Sequence, residues 1–301
     1  MKKAAIGFDL GGSHFSAAAV ANGKLLTMVY TTKIDHEWKQ DHILSVMSGV
    51  IKQVIDLCKN SDYEFVGAGG GVPGPANFET GVIGETPNMA TMRGCHLTEK
   101  LGSLIGMPVK INNDANLMVY GESSAGAGVG HRIVYGCTLG TGFGHGLVID
   151  GEIYTGANFM AMELAKAPIE LPPADRSGET IERQVSTNGI KQSYAERSGK
   201  RDLNYFDPKK IEELALRGDK AAIATYEYFG RCLGFALSWI QGAIAPDIIL
   251  VGGNLAKAWP LFSPEMLRVL KNHSWNKGPL VELMSLGQNA GIIGGASLFN
   301  D

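Results

Sequence analysis

From Ala4 to Phe8 the chain is apolar without a break, and Asp9, Gly11 and Gly12 follow at once. A short apolar run closed by turn residues predicts a buried strand ending in a tight turn. Phe15 to Val20 and Leu25 to Tyr30 read as two more strands, joined at Asn22-Gly23, a two-residue hairpin signal. Between Asp41 and Asn60 the period changes. Ile43, Val46, Met47, Val50, Ile51, Val54 and Ile55 recur at helical spacing, with Asp41 expected as the N-cap. Phe65 to Val72 returns to strand, and Pro73-Gly74-Pro75 must end it, because proline cannot donate to a ladder. Leu97 to Ile105 reads as helix, Val109 to Asn112 as strand and Asp114 to Ser123 as helix, which sets Asp114 at a strand-to-helix junction.

The second half opens as the first does. Ile133 to Leu139 reads as a strand, Gly140 to Gly144 as a glycine loop, and Gly146 to Ile149 with Glu152 to Tyr154 as a hairpin turning at Asp150-Gly151. That repetition predicts a duplicated core with one phosphate-gripping turn in each half. Ala221 to Ala243 follows as a long apolar helix, Asp247 to Val251 as a buried strand, Gly252-Gly253 as a turn and Glu265 to Lys271 as a helix. The alternation predicts α/β layers. Pro168 to Ser177 and Arg197 to Pro208 read as polar loops carrying proline.

Composition narrows the function. With 301 residues, 45% of them hydrophobic, two domains are expected. A formal net charge of -3 gives no basic footprint for nucleic acid and no polybasic patch for a membrane surface, so the partner expected is a small molecule. No apolar run approaches the roughly 18 residues that span a bilayer, and Asp9 breaks the first apolar stretch too early for a signal peptide. Cys58, Cys95, Cys137 and Cys232 lack CxxC spacing, which argues for reduced thiols in a cytoplasmic protein. The 40 glycines are clustered, as tight turns and close backbone approach to a ligand require.

Three constellations carry chemistry. In Asp9-Leu10-Gly11-Gly12-Ser13, glycines let backbone N–H groups approach an anion while the carboxylate can hold magnesium or its water shell. Gly140-Thr141-Gly142-Phe143-Gly144 repeats the device with a hydroxyl added. Together they suggest a nucleotide triphosphate gripped from two sides, as phosphoryl transfer requires. In Asn112-Asn113-Asp114-Ala115-Asn116, amides surround one carboxylate that can take a proton from an attacking hydroxyl. The plainer reading of Asp114 is an N-cap of the following helix.

DLGGS at Asp9 to Ser13, GVPGP at Gly71 to Pro75, TPN at Thr86 to Asn88, NNDAN at Asn112 to Asn116, LGTGFG at Leu139 to Gly144 and PDIILVGG at Pro246 to Gly253 stand in this order. In them the chain resembles, over essentially its whole length, the family that groups bacterial repressors, open reading frames and kinases, the ROK sugar kinases of the actin-like ATPase superfamily. The resemblance implies a two-domain α/β fold of the actin-like, ribonuclease H-like kind with an interdomain cleft. The domains expected are a small one over 1–114, with a C-terminal helix at about 290–301 packing back on it, and a large one over 115–289. It implies ATP with magnesium as cofactors, transfer of the γ-phosphoryl group to a hexose hydroxyl, that on carbon six being expected, and a homodimer. Asp114 matches the family's catalytic base, and Asn113 and Asn88 match sugar ligands. Gly71 and Gly74 match the loop that lets the substrate approach backbone. Asp9, Gly11, Gly12 and Ser13 match the first phosphate element, Asp9 being the candidate magnesium ligand; Gly140, Thr141 and Gly142 match the second, and Gly252 and Gly253 the turn near the adenosine.

The chain departs from the family at its zinc motif. Members carry E-x-G-H and then C-x-C-G-x-x-G-C-x-E, whereas here Glu163-Leu164-Ala165-Lys166 replaces the histidine by Lys166. With Glu182 aligned to the terminal glutamate, Thr180, Asp175 and Pro173 stand in place of the cysteines. Such side chains cannot build a tetrahedral zinc site, so no zinc is expected. Glu163 and Glu182 remain candidate acceptors for sugar hydroxyls, against a plainer reading as surface carboxylates paired with Lys166 or Arg183. Lys166 in place of the histidine suggests a sugar other than free glucose, such as a β-glucoside, an N-acylated amino sugar or an acidic sugar. Two other readings compete: a DNA-binding repressor, for which a first strand starting near Ala4 leaves no room, and a sugar-binding pseudokinase or regulator without turnover. Polyphosphate as the phosphoryl donor stays open.

Overall fold

The computed structural model describes residues 1–86, 89–168, 180–199, 207–274 and 278–300. The chain folds into two compact units, one of Met1–Arg132, Gly146–Ala161 and Met284–Asp301, the other of Ile133–His145 and Met162–Leu283.

The first unit starts with β1 (Lys2–Leu10), β2 (His14–Ala21), β3 (Lys24–Leu25), β4 (Tyr30–Lys33) and α1 (Gln40–Leu57). It continues with β5 (Tyr63–Val72), the small β6 (Ala76–Asn77) and β7 (Val82–Ile83) pair, α2 (Leu97–Ile105), β8 (Val109–Asn113) and α3 (Asp114–Ala125). Its sheet runs β3-β2-β1-β5-β8, with β4 also on β2; β1 is antiparallel to β2 and parallel to β5, which is parallel to β8.

Alternation along β1 decides what lies on each face. Ile6, Phe8 and Leu10 enter a core with Ile43, Met47 and Ile51 of α1 and Leu97 and Leu101 of α2. Each such side chain, fully buried, contributes about 1.5–3 kcal/mol. Ala5, Gly7 and Asp9 face the other way, where Ala5 packs with Ile292, Ile293 and Ala296 of the chain's last helix. A methyl group on Gly7 would overlap the Ile292 carbonyl, and one on Gly69 the Gly295 carbonyl. The helix therefore lies almost on the strand backbones. These glycines serve helix-to-sheet packing, a use the sequence reading of turns and ligand approach left out.

Two expectations change here. The predicted strand Leu25 to Tyr30 is broken at residues 26–29, where the Thr27 hydroxyl accepts the Ala19 N–H at 3.1 Å in place of a strand carbonyl. Asn22 and Gly23 do form the hairpin turn, with φ of 48° and 70°. The N-cap of α1 is Lys39, with no side-chain bond, and Asp41 lies in the first turn, where its charge favours the positive end of the helix dipole.

The second unit contains β9 (Ile133–Leu139) and the start of β10 (Phe143–Ile149), whose remainder and β11 (Glu152–Ile153) belong to the first unit. It continues with α4 (Ile181–Gln184), α5 (Thr187–Ser198), α6 (Pro208–Leu216), α7 (Lys220–Ile244), β12 (Ile248–Gly252), α8 (Trp259–Asn272) and β13 (Leu280–Leu283). The first unit closes with α9 (Ala290–Ser297). The second sheet runs β11-β10-β9-β12-β13, with β12 parallel to both β9 and β13. This is the order of the first sheet repeated, a leading hairpin followed by two parallel strands, as the duplicated sequence pattern predicts. Strand β12 is buried at every residue, and α7 packs on α8 through the Phe229–Phe262 edge contact at 5.2 Å.

The sequence division at residue 114 cuts through packing in the first unit. Helix α3 and helix α9 touch backbone to backbone, since a methyl group on Gly121 would overlap the Ala290 carbonyl and one on Gly294 the Leu117 carbonyl. Residues 146–161 also return to this unit.

Candidate active site

Ligand sites of open α/β sheets lie beyond the carboxyl ends of the strands. In the first unit the register aligns Asn112, Gly71, Asp9, Ser16 and Thr31 as successive neighbours across β8, β5, β1, β2 and β4. Asp9, Ser16 and Thr31, with Asp114, line a concavity of about 310 Å³ whose other wall includes Met118, Gln288, Asn289 and Gly291. The Ser16 and Thr31 hydroxyls bond each other at 2.9 Å. Gly71 stands between the two carboxylates: a methyl group there would lie 3.1 Å from Asp9 Oδ1 and 3.3 Å from Asp114 Cα.

The NNDAN stretch divides its work. Asn113, not Asp114, is the N-cap of α3, its Oδ1 accepting the Ala115 N–H at 3.0 Å and the Asn116 N–H at 3.4 Å. The capping role weighed for Asp114 is thus filled by its neighbour. Asn112 Oδ1 accepts the buried Asn116 Nδ2 at 3.0 Å and locks strand end to helix. Asp114 Oδ1 accepts the Ala115 N–H at 2.8 Å, which fixes the carboxylate plane.

Surrounding protein pushes the Asp9 carboxyl up to about 6, and the Asp114 charge adds to the shift. Asp114 is also raised by the protein around it, against the Ala115 N–H and its own backbone N–H, which favour the charged form. Both side chains remain open to the concavity they line.

The first glycine turn follows Asp9. The Gly11 N–H donates to the His14 carbonyl at 2.9 Å, which leaves the Gly12 and Ser13 N–H groups without a partner among the described residues. The Ser13 hydroxyl lies 2.8 Å from His14 Nδ1.

In the second unit the turn after β9 repeats this arrangement. The Gly140 N–H donates to the Gly142 carbonyl at 3.1 Å, leaving those of Thr141 and Gly142 without a partner among the described residues. The Thr187 N–H donates to the Gly140 carbonyl at 2.8 Å, and Glu182 Oε2 accepts the Phe143 N–H at 3.0 Å. Gly252 is the register partner of Thr138 on β9. Gly253 has φ of 87°, and a methyl group there would overlap the Leu139 backbone, so glycine is required twice over. His145 on β10 bonds the Tyr135 hydroxyl at 2.6 Å, and burial lowers its pKa to about 3, so it is neutral and no proton relay near neutrality.

The other residues singled out from sequence are scattered in role. A methyl group on Gly74 would stand 3.6 Å from Asn113 Nδ2, an ordinary contact. Asn88 lies outside the described residues, as do Pro173 and Asp175. Lys166 pairs with Glu163 at 3.4 Å, both side chains exposed. Thr180 caps α4, accepting the Arg183 N–H at 3.4 Å. Among the described residues no three His, Cys, Asp or Glu side chains converge as a metal site.

Sequence reasoning missed Ser16 and Thr31, visible only once strand register is known, and Gln288 and Asn289, distant in sequence. It also missed Glu122, fully buried on α3. Its Oε1 accepts the Leu286 N–H at 2.7 Å, and its Oε2 accepts the Ala127 N–H at 2.9 Å and the Ser285 hydroxyl at 3.0 Å. A lone acid in the apolar stretch of a helix was its only signal.

Two sheets of one strand order, each with a glycine turn after its first strand, define a fold of the actin-like class. The chain belongs to the ROK family, which it matches over residues 5–301. It is 28% identical to a glucokinase of Thermotoga maritima over 98% of this chain and 97% of that protein. It is also 28% identical to an N-acetyl-D-glucosamine kinase of Histophilus somni, over 97% of this chain and 98% of that one. A ROK family glucokinase of Streptomyces griseus, solved in complex with glucose and AMPPNP, shares the fold at a TM-score of 0.73 and 23% identity, covering 98% of each chain.

Proposed function

We propose that this protein is a sugar kinase that transfers the γ-phosphoryl group of ATP to a hydroxyl of a hexose or hexose derivative, that on carbon six being the acceptor. The observation that carries this reading is Asp114, a carboxylate with one oxygen held by the Ala115 N–H and its side chain open to a concavity at the strand ends. Its second oxygen accepts the proton of the sugar hydroxyl as that oxygen attacks phosphorus. Asn113 spends Oδ1 on the cap and keeps Nδ2 to donate to a sugar hydroxyl. The N–H groups of Gly12 and Ser13, without a partner among the described residues, donate to phosphate oxygens, so most of the rate comes from positioning and charge stabilisation. Relatives named glucokinase and N-acetyl-D-glucosamine kinase support a hexose or an N-acylated hexose as acceptor.

Magnesium fits the residues present. The described residues lining the concavity include no Lys, Arg or His, and Asp9 titrates high partly because Asp114 faces it, which leaves the site short of positive charge. Asp9 would hold the ion, with the hydroxyls of Ser16 and Thr31 beside it in the row. Bound there, magnesium neutralises charge on the triphosphate.

The reading is tested by ADP release from ATP over a panel of glucose, N-acetylglucosamine, N-acetylmannosamine, fructose, β-glucosides and sugar acids. At least one should support turnover well above the sugar-free rate. Absence of sugar-dependent ADP release across the panel, with ATP bound, would leave a sugar-binding regulator instead.

A further inference from the structure

We infer that Asn289 donates its side-chain amide to the terminal phosphoryl group of ATP, as a further ligand of the reactants in the concavity of Asp9 and Asp114. The role rests on the kinase reading, and none of the sequence motifs pointed to it.

The backbone of Asn289 is fixed on both sides. Its N–H donates to the Leu286 carbonyl at 3.2 Å. Leu286 is held in turn by the fully buried Glu122, whose Oε1 accepts the Leu286 N–H at 2.7 Å while Oε2 accepts the Ser285 hydroxyl at 3.0 Å. On the other side Ala290 is buried with its carbonyl against Gly121, and Ile292 and Ile293 enter the apolar cluster of β1 and β2. The side chain, by contrast, is free. Asn289 occupies the N-cap position of α9, where asparagine ordinarily accepts an N–H of the first turn, yet it makes no such bond and has no side-chain partner among the described residues. Its φ of -86° and ψ of -9° are helical, not the extended values of a capping residue. The amide lines the concavity instead.

What the concavity is short of is a donor. Its described lining carries two carboxylates and no Lys, Arg or His, and the Ser16 and Thr31 hydroxyls are bonded to each other. Among those lining residues only Gln288 and Asn289 have side-chain N–H groups. A phosphoryl group in transfer spreads charge over three equatorial oxygens, and an oxygen that meets neither metal nor donor is left facing carboxylates. An amide supplies the donor without a positive charge, which beside Asp114 would lower its pKa and weaken it as a base. Asn289 is the shorter of the two and half-buried, whereas Gln288 is exposed, so less side-chain freedom is lost in ordering it. No bond to Asn289 forms or breaks in the reaction: the proton of the sugar hydroxyl goes to Asp114 and ADP leaves.

Wild type, Asn289→Ala and Asn289→Asp would be compared by steady-state kinetics, melting temperature and calorimetric titration with a non-hydrolysable ATP analogue. The alanine variant should keep the wild-type melting temperature, because no cap bond is lost. Its kcat/KM for ATP should fall about tenfold to a hundredfold, the loss expected for a hydrogen bond to a charged group. Its sugar KM should stay within about twofold of wild type. Aspartate keeps the shape and caps a helix as well as asparagine does, but it removes the donor and adds a third negative charge. That variant should turn over and bind the analogue no better than the alanine one, and it serves if Asn289→Ala does not fold. An aspartate variant as active as wild type would overturn the inference. So would an alanine variant that loses melting temperature and keeps kcat/KM for ATP, which is the mark of a cap, or one whose sugar KM alone rises. Wild type that neither binds the analogue nor releases ADP with any sugar sinks the kinase reading and the inference with it; wild type that does both, with both variants matching it, sinks the inference alone.

Discussion

Asp9 and Gly71 are register partners on adjacent parallel strands, and a methyl group at Gly71 would lie 3.1 Å from Asp9 Oδ1. On its other side the same methyl would meet Asp114 Cα at 3.3 Å. The missing side chain is what lets two carboxylates share one concavity. Gly71→Ala should keep the fold, since the conflict needs only a few tenths of an ångström of movement, but displace both acids. Turnover should fall about tenfold to a hundredfold with a near-native melting temperature. Unchanged kcat would show that the acids do not need this spacing.

Asp114→Asn keeps the side-chain shape and the bond to Ala115 while removing the base. The expected loss in kcat is roughly a hundredfold to ten-thousandfold, with analogue affinity retained. Because the Asp114 carboxyl is raised above the ordinary aspartate range, wild-type kcat should fall with acidity before an ordinary aspartate would protonate. That acid limb should be missing from the residual rate of the variant; its persistence would assign the titration to another group.

Asp9 gives a stability signature. Its carboxyl is raised from 3.8 to about 6 in the fold, so between these values the folded state holds the proton more tightly than the unfolded chain. Its contribution therefore becomes less favourable as pH rises from about 4 to 6 and is constant above that window. Asp9→Asn removes this dependence. The melting temperature of the variant minus that of wild type should grow from pH 4 to pH 7 in the absence of divalent cations, and magnesium should shrink the difference. A difference independent of pH would contradict the raised carboxyl.

Glu122→Gln tests the support beneath the site. The buried carboxylate accepts from three donors, and an amide can replace only one of its two oxygens, leaving an N–H facing an N–H or hydroxyl. The expected cost is about 1–3 kcal/mol in urea unfolding. Gln288 and Asn289 follow Leu286 closely, so the variant should also raise the magnesium concentration needed for half-maximal rate. A shift in stability with no change in magnesium response would confine Glu122 to the scaffold.

Much of this was legible in the residues. Leu97 to Ile105 and Ile133 to Leu139 were delimited as observed, because strong periodicity and turn residues marked both ends. The Asp9 turn, the NNDAN junction and the Gly140 turn stood out because each packs chemistry into five adjacent positions. What stayed hidden depends on tertiary placement. Helix α5 has no apolar period and is set by the Ser186 cap and buried Ile190 and Tyr194. Ser16 and Thr31 join the site through register alone, and Gln288 and Asn289 through the anchoring of Leu286 by Glu122. The capping of α3 by Asn113 was a choice between two adjacent side chains that composition could not make.

The last helix of the first unit comes after the whole of the second in the chain. On the ribosome, strands β1 and β5 emerge well before residues 290–297, the helix whose carbonyls lie over Gly7 and Gly69. The second unit can complete itself meanwhile. A nascent chain halted before residue 290 would carry both aspartates without Gly291 and Ile292, so the lining of their concavity is complete only once these two residues have been added.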